Sequence, residues 1–493
     1  MTDRDEFSYL NEKIILVSNR SPYIIHQNGN FRKIKCALGG VSGTLKGILK
    51  KVHGTWIAWN GGNAVWPIRM TIREQSSEYQ LRLVHLSKTE IKEYYYGFAN
   101  QLLWPLCHSF PEKCIISPSY WYAYQSANQL FAKHVLFEYR PGKIVWIHDF
   151  HLSLLPKYLR QKIPSLPIKF FWHIPFPAGD IFRNNPWATE ILHGLLEADL
   201  IGFHTPEYVR NFLDCVSKLP NCFIDRDGES IYCNGRLVKV RAFPLGIDVA
   251  DFETRAASPA TLSLARKIRK KIKASTILIS VDRIDYTKGI IERLNALRML
   301  YRKYPEYIGR ISLVQIVVPN RNQIAEYNQL RHVILNEVHH INMEFATNGW
   351  APIHQVVKHI DRSKLVAYYR ASDIALITPI RDGMNLIVKE YLATRLEETG
   401  AVVLSRYAGA AAEFKDEAIV VNPNRPEAIV DGIRNALVVD ENKDRIRMRK
   451  MRSKIKSRDL SWWTRQILRE NQPNSASFST DELQDFKAVN QCI

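Results

Sequence analysis

Two short clusters in the second half of the chain hold residue types that could grip a sugar nucleotide. The first is Ser280-Val281-Asp282-Arg283-Ile284-Asp285-Tyr286-Thr287-Lys288-Gly289. The second is Arg381-Asp382-Gly383-Met384-Asn385-Leu386-Ile387-Val388-Lys389-Glu390. In the first, an arginine and a lysine stand just beyond an apolar run. In the second, a glycine turn and two carboxylates follow another such run. Cations placed this way can neutralise the charge that develops on a departing diphosphate without a metal. Arg283 and Lys288 are therefore the expected clamp on the leaving group, and a carboxylate must hold the sugar hydroxyls. Gly383 permits close backbone approach to a ligand. Glu390 lies about two helical turns beyond Asp382 and reaches the same end only if Asp382 sits in the loop. Arg283 and Lys288 could be two surface cations, but their place just past a strand favours the clamp, whereas Asp382 and Glu390 alone read as a surface pair and a loop. Together they make glycosyl transfer the leading expectation.

Further candidates follow apolar strands in the first half. Asn19 and Arg20 come after Ile14-Ile15-Leu16-Val17. His148 and Asp149 come after Lys143-Ile144-Val145-Trp146-Ile147, and His173 follows Ile168-Lys169-Phe170-Phe171-Trp172. The carboxyl ends of strands are where open α/β sheets bind ligands. Asp149 is read as a hydroxyl-gripping carboxylate and His173 as a sugar-contacting group. His148 and His151 flank Asp149, but no further ligands at zinc spacing accompany them, so no metal is expected. Gly39-Gly40-Val41-Ser42-Gly43-Thr44 precedes a helix expected over Leu45–Val52. Its amides suit an anion, as an ordinary tight turn would also explain. The tyrosines 94–96 and Trp104-Pro105 form an aromatic cluster, read either as core packing or as a sugar platform with a phenolic hydroxyl for a phosphate. The absence of GxGxxG, P-loop, GxSxG, HExxH and EF-hand patterns removes support for nicotinamide, ATP, serine-hydrolase, zincin and calcium readings.

The elements that must position these residues alternate between strand and helix throughout. At 493 residues the chain is long for one core, so two domains are expected. Helices are expected over Thr189–Leu200, Glu207–Leu219 and Ile290–Tyr304. Strands are expected over 276–281, 311–318, 373–378 and 401–405. Phe243-Pro244-Leu245-Gly246-Ile247-Asp248 reads as the junction, after which the alternation restarts. The expected fold is α/β, with two doubly wound domains facing a cleft. The residues from Asn474 onward read as a polar tail. The composition, 46% hydrophobic and 24% charged, is that of a globular protein. The net charge of +19 concentrates in 266–273 and 445–458 and is read as solvated helix faces, not as a nucleic-acid site. Seven cysteines at irregular spacing give no expectation of a disulfide framework and fit a reducing cytosol. No apolar run reaches the length of a membrane span.

Taken in order, these motifs resemble the trehalose-6-phosphate synthase family of retaining glycosyltransferases. The likeness runs from about Lys13 to about Leu468. It is carried by Val17-Ser18-Asn19-Arg20, Gly39-Gly40, Trp104-Pro105, Ile147-His148-Asp149, His173-Ile174-Pro175-Phe176-Pro177 and the two clusters above. The resemblance implies a GT-B fold of two Rossmann-like domains. The acceptor domain would span 1–247, completed by a crossover helix over about 457–471. The nucleotide-sugar domain would span 248–456, and 472–493 would form the tail. It assigns Gly40, Arg283, Lys288, Ile360, Asp382, Asn385, Leu386 and Glu390 to the donor. It assigns Arg20, Tyr95, Trp104, Asp149 and Arg321 to a phosphorylated acceptor, with His173 on the transferred glucose. Catalysis would rest on His173, Arg283, Lys288 and Asp382. The expected reaction moves glucose from a nucleoside diphosphate, UDP-glucose by resemblance, to glucose 6-phosphate, giving trehalose 6-phosphate. The strand-end motifs leave UDP, GDP and ADP open. Asp282 stands where the family commonly has Glu, and Phe150 where it often has Tyr. The segments 108–111 and 204–208 look more like glucosylglycerol-phosphate synthases, so glycerol 3-phosphate or another polyol phosphate is the alternative acceptor. No cofactor, metal, nucleic acid or membrane partner is expected. A homo-oligomer is left open. A cytoplasmic location, a role in osmoprotection and a separate trehalose-phosphate phosphatase acting downstream are expected.

Overall fold

The computed structural model describes residues 13–28, 31–36, 40–62, 68–74, 77–225, 227–319, 323–347, 349–438 and 440–470. The chain divides into two compact units, Met1–Pro244 with Trp463–Ile493, and Leu245–Trp462. The first junction thus falls at 244/245 where 247/248 was expected. The cause is packing, since Ile247, Val249 and Phe252 are buried in a core cluster of the second unit.

The first unit contains β1 (Ile14–Arg20), β2 (Tyr23–Asn28), β3 (Phe31–Cys36), β4 (Thr55–Trp59), β5 (Arg69–Glu74) and β6 (Ser77–Val84). It continues with β7 (Ile144–His148), β8 (Ile168–Phe171), β9 (Leu200–Phe203), β10 (Cys222–Ile224), β11 (Ser230–Cys233) and β12 (Arg236–Ala242). One sheet runs β10-β11-β12-β9-β8-β7-β1-β4-β6-β5, and β2 and β3 form a separate pair. From β12 to β6 in that order the strands are parallel. Antiparallel β5 closes one edge and β10–β11 the other. Strands such as Ile14-Ile15-Leu16-Val17 are apolar without alternation because both faces of a parallel sheet are covered. The chain winds outward from β1 through β4 and β6, then returns to lay β7 on the other side of β1. This reversal is the topological switch point.

The second unit contains β13 (Thr276–Arg283), β14 (Ile311–Val318), β15 (Ile353–Val357), β16 (Ile374–Ile377), β17 (Ala401–Ser405) and β18 (Ile419–Val421). All are parallel, in the order β15-β14-β13-β16-β17-β18. The switch point lies between β13 and β16. Local signals set the connecting helices. Thr205 caps the helix Pro206–Val216 by accepting from Tyr208 N–H, and Asp361 caps Arg362–Ala371 by accepting from Lys364 N–H. Proline at the first helical position adds a preset φ to Pro206 and Pro259.

Several sequence-based boundaries move. The helix expected from Leu45 begins at Gly40, so the glycine-rich segment is already helical from that residue, while Gly39 lies outside the described residues. The helix expected to run to Leu200 stops at Leu195, and Leu200–Phe203 is strand β9. The tail from Asn474 also lies outside the described residues. The cysteine reading needs one correction, because Cys222 and Cys233 are joined by a disulfide. They stand opposite each other on β10 and β11, a register that their spacing in sequence does not reveal. The basic helix Glu441–Ser457 carries many of its cations in ion pairs, among them Arg449–Glu398, Arg452–Glu253 and Lys454–Glu417. Among the described residues no helix is long and apolar enough to cross a membrane.

The last described helix, Leu460–Arg469, returns to the first unit from Trp463 onward. The Trp463 ring packs 5.2 Å from Trp146 and 4.9 Å from Phe171, and its indole N–H donates to Phe243 O. Lys169 on β8 is buried and donates from Nζ to the carbonyls of Ile467, Leu468 and Glu470 at 2.6, 3.2 and 2.7 Å. These are the carbonyls a helix leaves unpaired at its carboxyl end, where a cation also favours the dipole. Burial pulls the Lys169 ammonium down to about 8, so it remains mostly charged at neutral pH. Lys169→Met is expected to lower the unfolding free energy by about 2–4 kcal/mol, because it strands buried carbonyls. Urea unfolding checks this, and an unchanged midpoint would contradict it.

Candidate active site

The two clusters from the second half of the sequence come together at the switch point of the second unit. Arg283 is the last residue of β13 and is exposed. Asp285 is fully buried, and its Oδ1 accepts from both the backbone N–H and the hydroxyl of Thr287, which fixes the turn. The Thr287 carbonyl then accepts from the N–H groups of Ile380 and Arg381, joining the turn to the loop after β16. Gly289 sits at φ +62°, and a Cβ there would lie 2.1 Å from Thr378 O, so only glycine allows this approach. Lys288 is buried, and its Nζ donates to Asp382 Oδ2 at 2.5 Å. Asn385 Nδ2 donates to the same oxygen at 3.1 Å from a left-handed backbone conformation that asparagine tolerates. Leu386 opens the helix Leu386–Thr394.

Glu390 lies on that helix, and Tyr369 Oη donates to its Oε2 at 2.9 Å. Burial raises the Glu390 carboxyl above its ordinary value, and the Tyr369 bond partly offsets that. Ile360 is buried within the same hydrophobic cluster as Val366 and Tyr369. Asp382 sits in the loop before the helix that carries Glu390, which meets the condition for the two to reach the same end. What the sequence did not reveal is that Asp382 is the direct ion-pair partner of Lys288.

In the first unit, Arg20 ends β1 and Asp149 follows β7, so they flank that unit's switch point. The Arg20 guanidinium lies 5.4 Å from the Trp59 ring centroid and 5.5 Å from that of Tyr95. Its Nη1 donates to Tyr95 Oη at 3.5 Å. Arg20 is exposed, so its planar fork is oriented by two rings yet open to an anion. The aromatic cluster divides between its two readings. Tyr94 is core, bonded from Oη to Asn19 Oδ1 at 2.8 Å, whereas Tyr95 stands on Arg20. Both lie in a π-helical stretch, Ile91–Leu103, a winding often found at functional sites. Trp104 follows it and is buried, with its ring 4.1 Å from His108. Arg321 lies outside the described residues.

Asp149 Oδ1 accepts from Phe150 N at 3.0 Å and His173 N at 3.3 Å, linking the ends of β7 and β8. His173 Nε2 is 3.0 Å from His148 Nδ1, and His204 Nε2 is 3.1 Å from His173 O. Among the described residues, His173 Nδ1 has no hydrogen-bond partner. Burial holds His148 down to about 3 and His173 well below its ordinary value, the latter with help from His148 and His204. Both imidazoles are therefore neutral near pH 7. On unfolding they regain a value near 6.5 and bind protons that the folded state refuses. Stability should then fall as pH drops below about 6.5, by up to about 1.4 kcal/mol per pH unit for each imidazole. Urea unfolding at a series of pH values checks this. The slope should flatten in His148→Gln, and an identical slope would contradict the assignment. Among the described residues no group of three or more His, Cys, Asp and Glu is placed to hold a metal ion.

Two doubly wound units with charged groups at the strand ends are the GT-B architecture of nucleotide-sugar glycosyltransferases. The chain belongs to glycosyltransferase family 20, whose model matches residues 12–472. It is 35% identical over 473 residues to the UDP-forming alpha,alpha-trehalose-phosphate synthase A of Dictyostelium discoideum, covering 96% of this chain and 64% of that protein. The chain thus spans under two thirds of that relative's length. It is 38% identical over 470 residues to the trehalose-6-phosphate synthase of Mycolicibacterium vanbaalenii, covering 92% of this chain and 94% of that one. Among solved structures, it is similar to a UDP-forming alpha,alpha-trehalose-phosphate synthase from Burkholderia xenovorans in complex with glucose-6-phosphate. That similarity has a TM-score of 0.85 and 29% identity, over 93% of this chain and 99% of the other.

Proposed function

We propose that this protein transfers glucose from UDP-glucose to glucose 6-phosphate with retention, giving α,α-trehalose 6-phosphate and UDP. The observation that carries the reading is the assembly of Arg283, Lys288 and Asp382 at one switch point, with an open, ring-stacked Arg20 at the other. The names of the relatives supply the donor and product, and the Burkholderia complex supplies the acceptor.

Arg283 and Lys288 bind the diphosphate, and Glu390 and Leu386 hold the nucleoside side of the donor. Asp382 serves two ends, orienting the Lys288 ammonium and accepting from a glucose hydroxyl. Arg20 and Tyr95 take the acceptor phosphate, and Asp149 takes an acceptor hydroxyl. In the reaction the bond from the donor's anomeric carbon to the β-phosphate oxygen breaks. A bond to the acceptor's anomeric oxygen forms on the same face. The acceptor's proton passes to the departing phosphate oxygen, so no protein base is required. Lys288 and Arg283 stabilise the charge on that oxygen. His173, being neutral, can hydrogen-bond to the transferred sugar without placing a cation beside a carbon that is becoming positive.

The test is a panel of UDP-, GDP- and ADP-glucose, each with glucose 6-phosphate or glycerol 3-phosphate, followed by product mass. A disaccharide phosphate formed from UDP-glucose supports the reading. Glucosylglycerol phosphate as the preferred product would replace the acceptor while leaving the donor residues in place.

A further inference from the structure

We propose that Arg293, outside the donor residues named above, is the positioning residue that holds the diphosphate clamp in register. This rests on the reading of Arg283, Lys288 and Asp382 as donor ligands. Arg293 lies on the helix Ile290–Lys303 and is fully buried, one of the largest side chains to be so. Its guanidinium reaches three segments at once. Nη1 donates to Asp282 Oδ2 at 2.8 Å, Nε to Thr378 Oγ1 at 3.1 Å, and Nη2 to Lys288 O at 3.2 Å.

Each partner adjoins a donor residue. Asp282 immediately precedes Arg283 on β13. The Lys288 carbonyl belongs to the clamp lysine itself. Thr378 follows β16 at the root of the loop that carries Asp382. A single planar group thus fixes the spacing between the two strands of the switch point. The geometry needs a guanidinium, because an ammonium is a compact donor and cannot present a fork to three separated acceptors. It also gives Asp282 a role. The carboxylate is buried in an ion pair with Arg293, at 6% and 0% exposure, so it holds the clamp without facing a ligand.

The test compares UDP and glucose 6-phosphate binding by calorimetry in wild type, Arg293→Lys and Thr378→Val, with thermal unfolding of each. Arg293→Lys should weaken UDP about tenfold to a hundredfold, the equivalent of losing one or two charged hydrogen bonds. It should raise the donor KM and lower kcat, while leaving glucose 6-phosphate affinity unchanged. Thr378→Val removes one bond and should shift UDP binding in the same direction by less, which covers the case where Arg293→Lys fails to fold. Unchanged UDP affinity in folded variants overturns the proposal. So does a parallel loss of both ligands, which marks a purely structural role. If wild type itself binds no UDP, the donor reading beneath the proposal fails with it.

Discussion

Lys288→Met should lower kcat/KM for the nucleotide sugar by about a hundredfold to a thousandfold, the range seen when one donor to a developing oxyanion is removed. Lys288 is buried, so a diphosphate held as proposed would meet it where water screens little. The structure adds a second consequence. Because Lys288 Nζ is paired with Asp382 Oδ2, its loss leaves that carboxylate without the cation, close to where a diphosphate would bind. The variant should therefore be worse than a simple loss of attraction, and Lys288→Met combined with Asp382→Asn should be less impaired than the two single effects added together. The expected coupling is about 0.5–3 kcal/mol. Lys288→Arg should not restore the rate, because a planar fork does not occupy the position of a compact ammonium. Steady-state kinetics of wild type, the two single variants, the double variant and Lys288→Arg checks this. Additive effects, or a Lys288→Met enzyme close to wild type, would remove Lys288 from the clamp.

Asp149→Gly should be more stable than Asp149→Ala by about 1–3 kcal/mol, although glycine is ordinarily the less stable of the two. Asp149 has φ 77° and ψ 159°, a region that is nearly exclusive to glycine. Both variants lose the carboxylate and its two backbone hydrogen bonds, so their difference isolates the strain of the Cβ. The surroundings enforce the conformation. Asp149 N–H donates to Phe171 O, Leu152 N–H donates to Asp149 O, and Tyr124 Oη donates to Phe150 O at 2.6 Å. Strain of this kind persists where a side chain must be aimed at a ligand. Both variants should also lose about tenfold to a hundredfold in kcat/KM for the acceptor, with donor binding unaffected. Urea unfolding and acceptor kinetics measure the two effects. An alanine variant as stable as the glycine variant would show that the backbone carries no strain there.

The strand-end positions of Arg20, Asp149, His173, Arg283 and Asp382 were legible because apolar runs followed by polar residues mark the carboxyl ends of parallel strands. Strand order was not legible, since it depends on pairings between distant segments. The order is what makes Arg20 and Asp149 neighbours at one switch point, and Arg283 and Asp382 neighbours at the other. Arg293 was missed for a similar reason. In the sequence Ile290-Ile291-Glu292-Arg293-Leu294 it looks like a solvated helical cation, and only the packing of its helix against β13 and β16 buries it. Lys169 was hidden inside an apolar strand, and its partners lie at the far end of the chain. The motif residues were visible one at a time. Their supports are set by tertiary contacts that no local pattern encodes.

The most direct measurement is carbon NMR of the reaction between UDP-glucose labelled at the anomeric carbon and unlabelled glucose 6-phosphate. The expected result is one phosphorylated disaccharide, labelled at a single anomeric carbon of α configuration, with UDP formed in equal amount. Labelled free glucose alone, or a β-linked product, would contradict retaining transfer to a sugar phosphate by these residues.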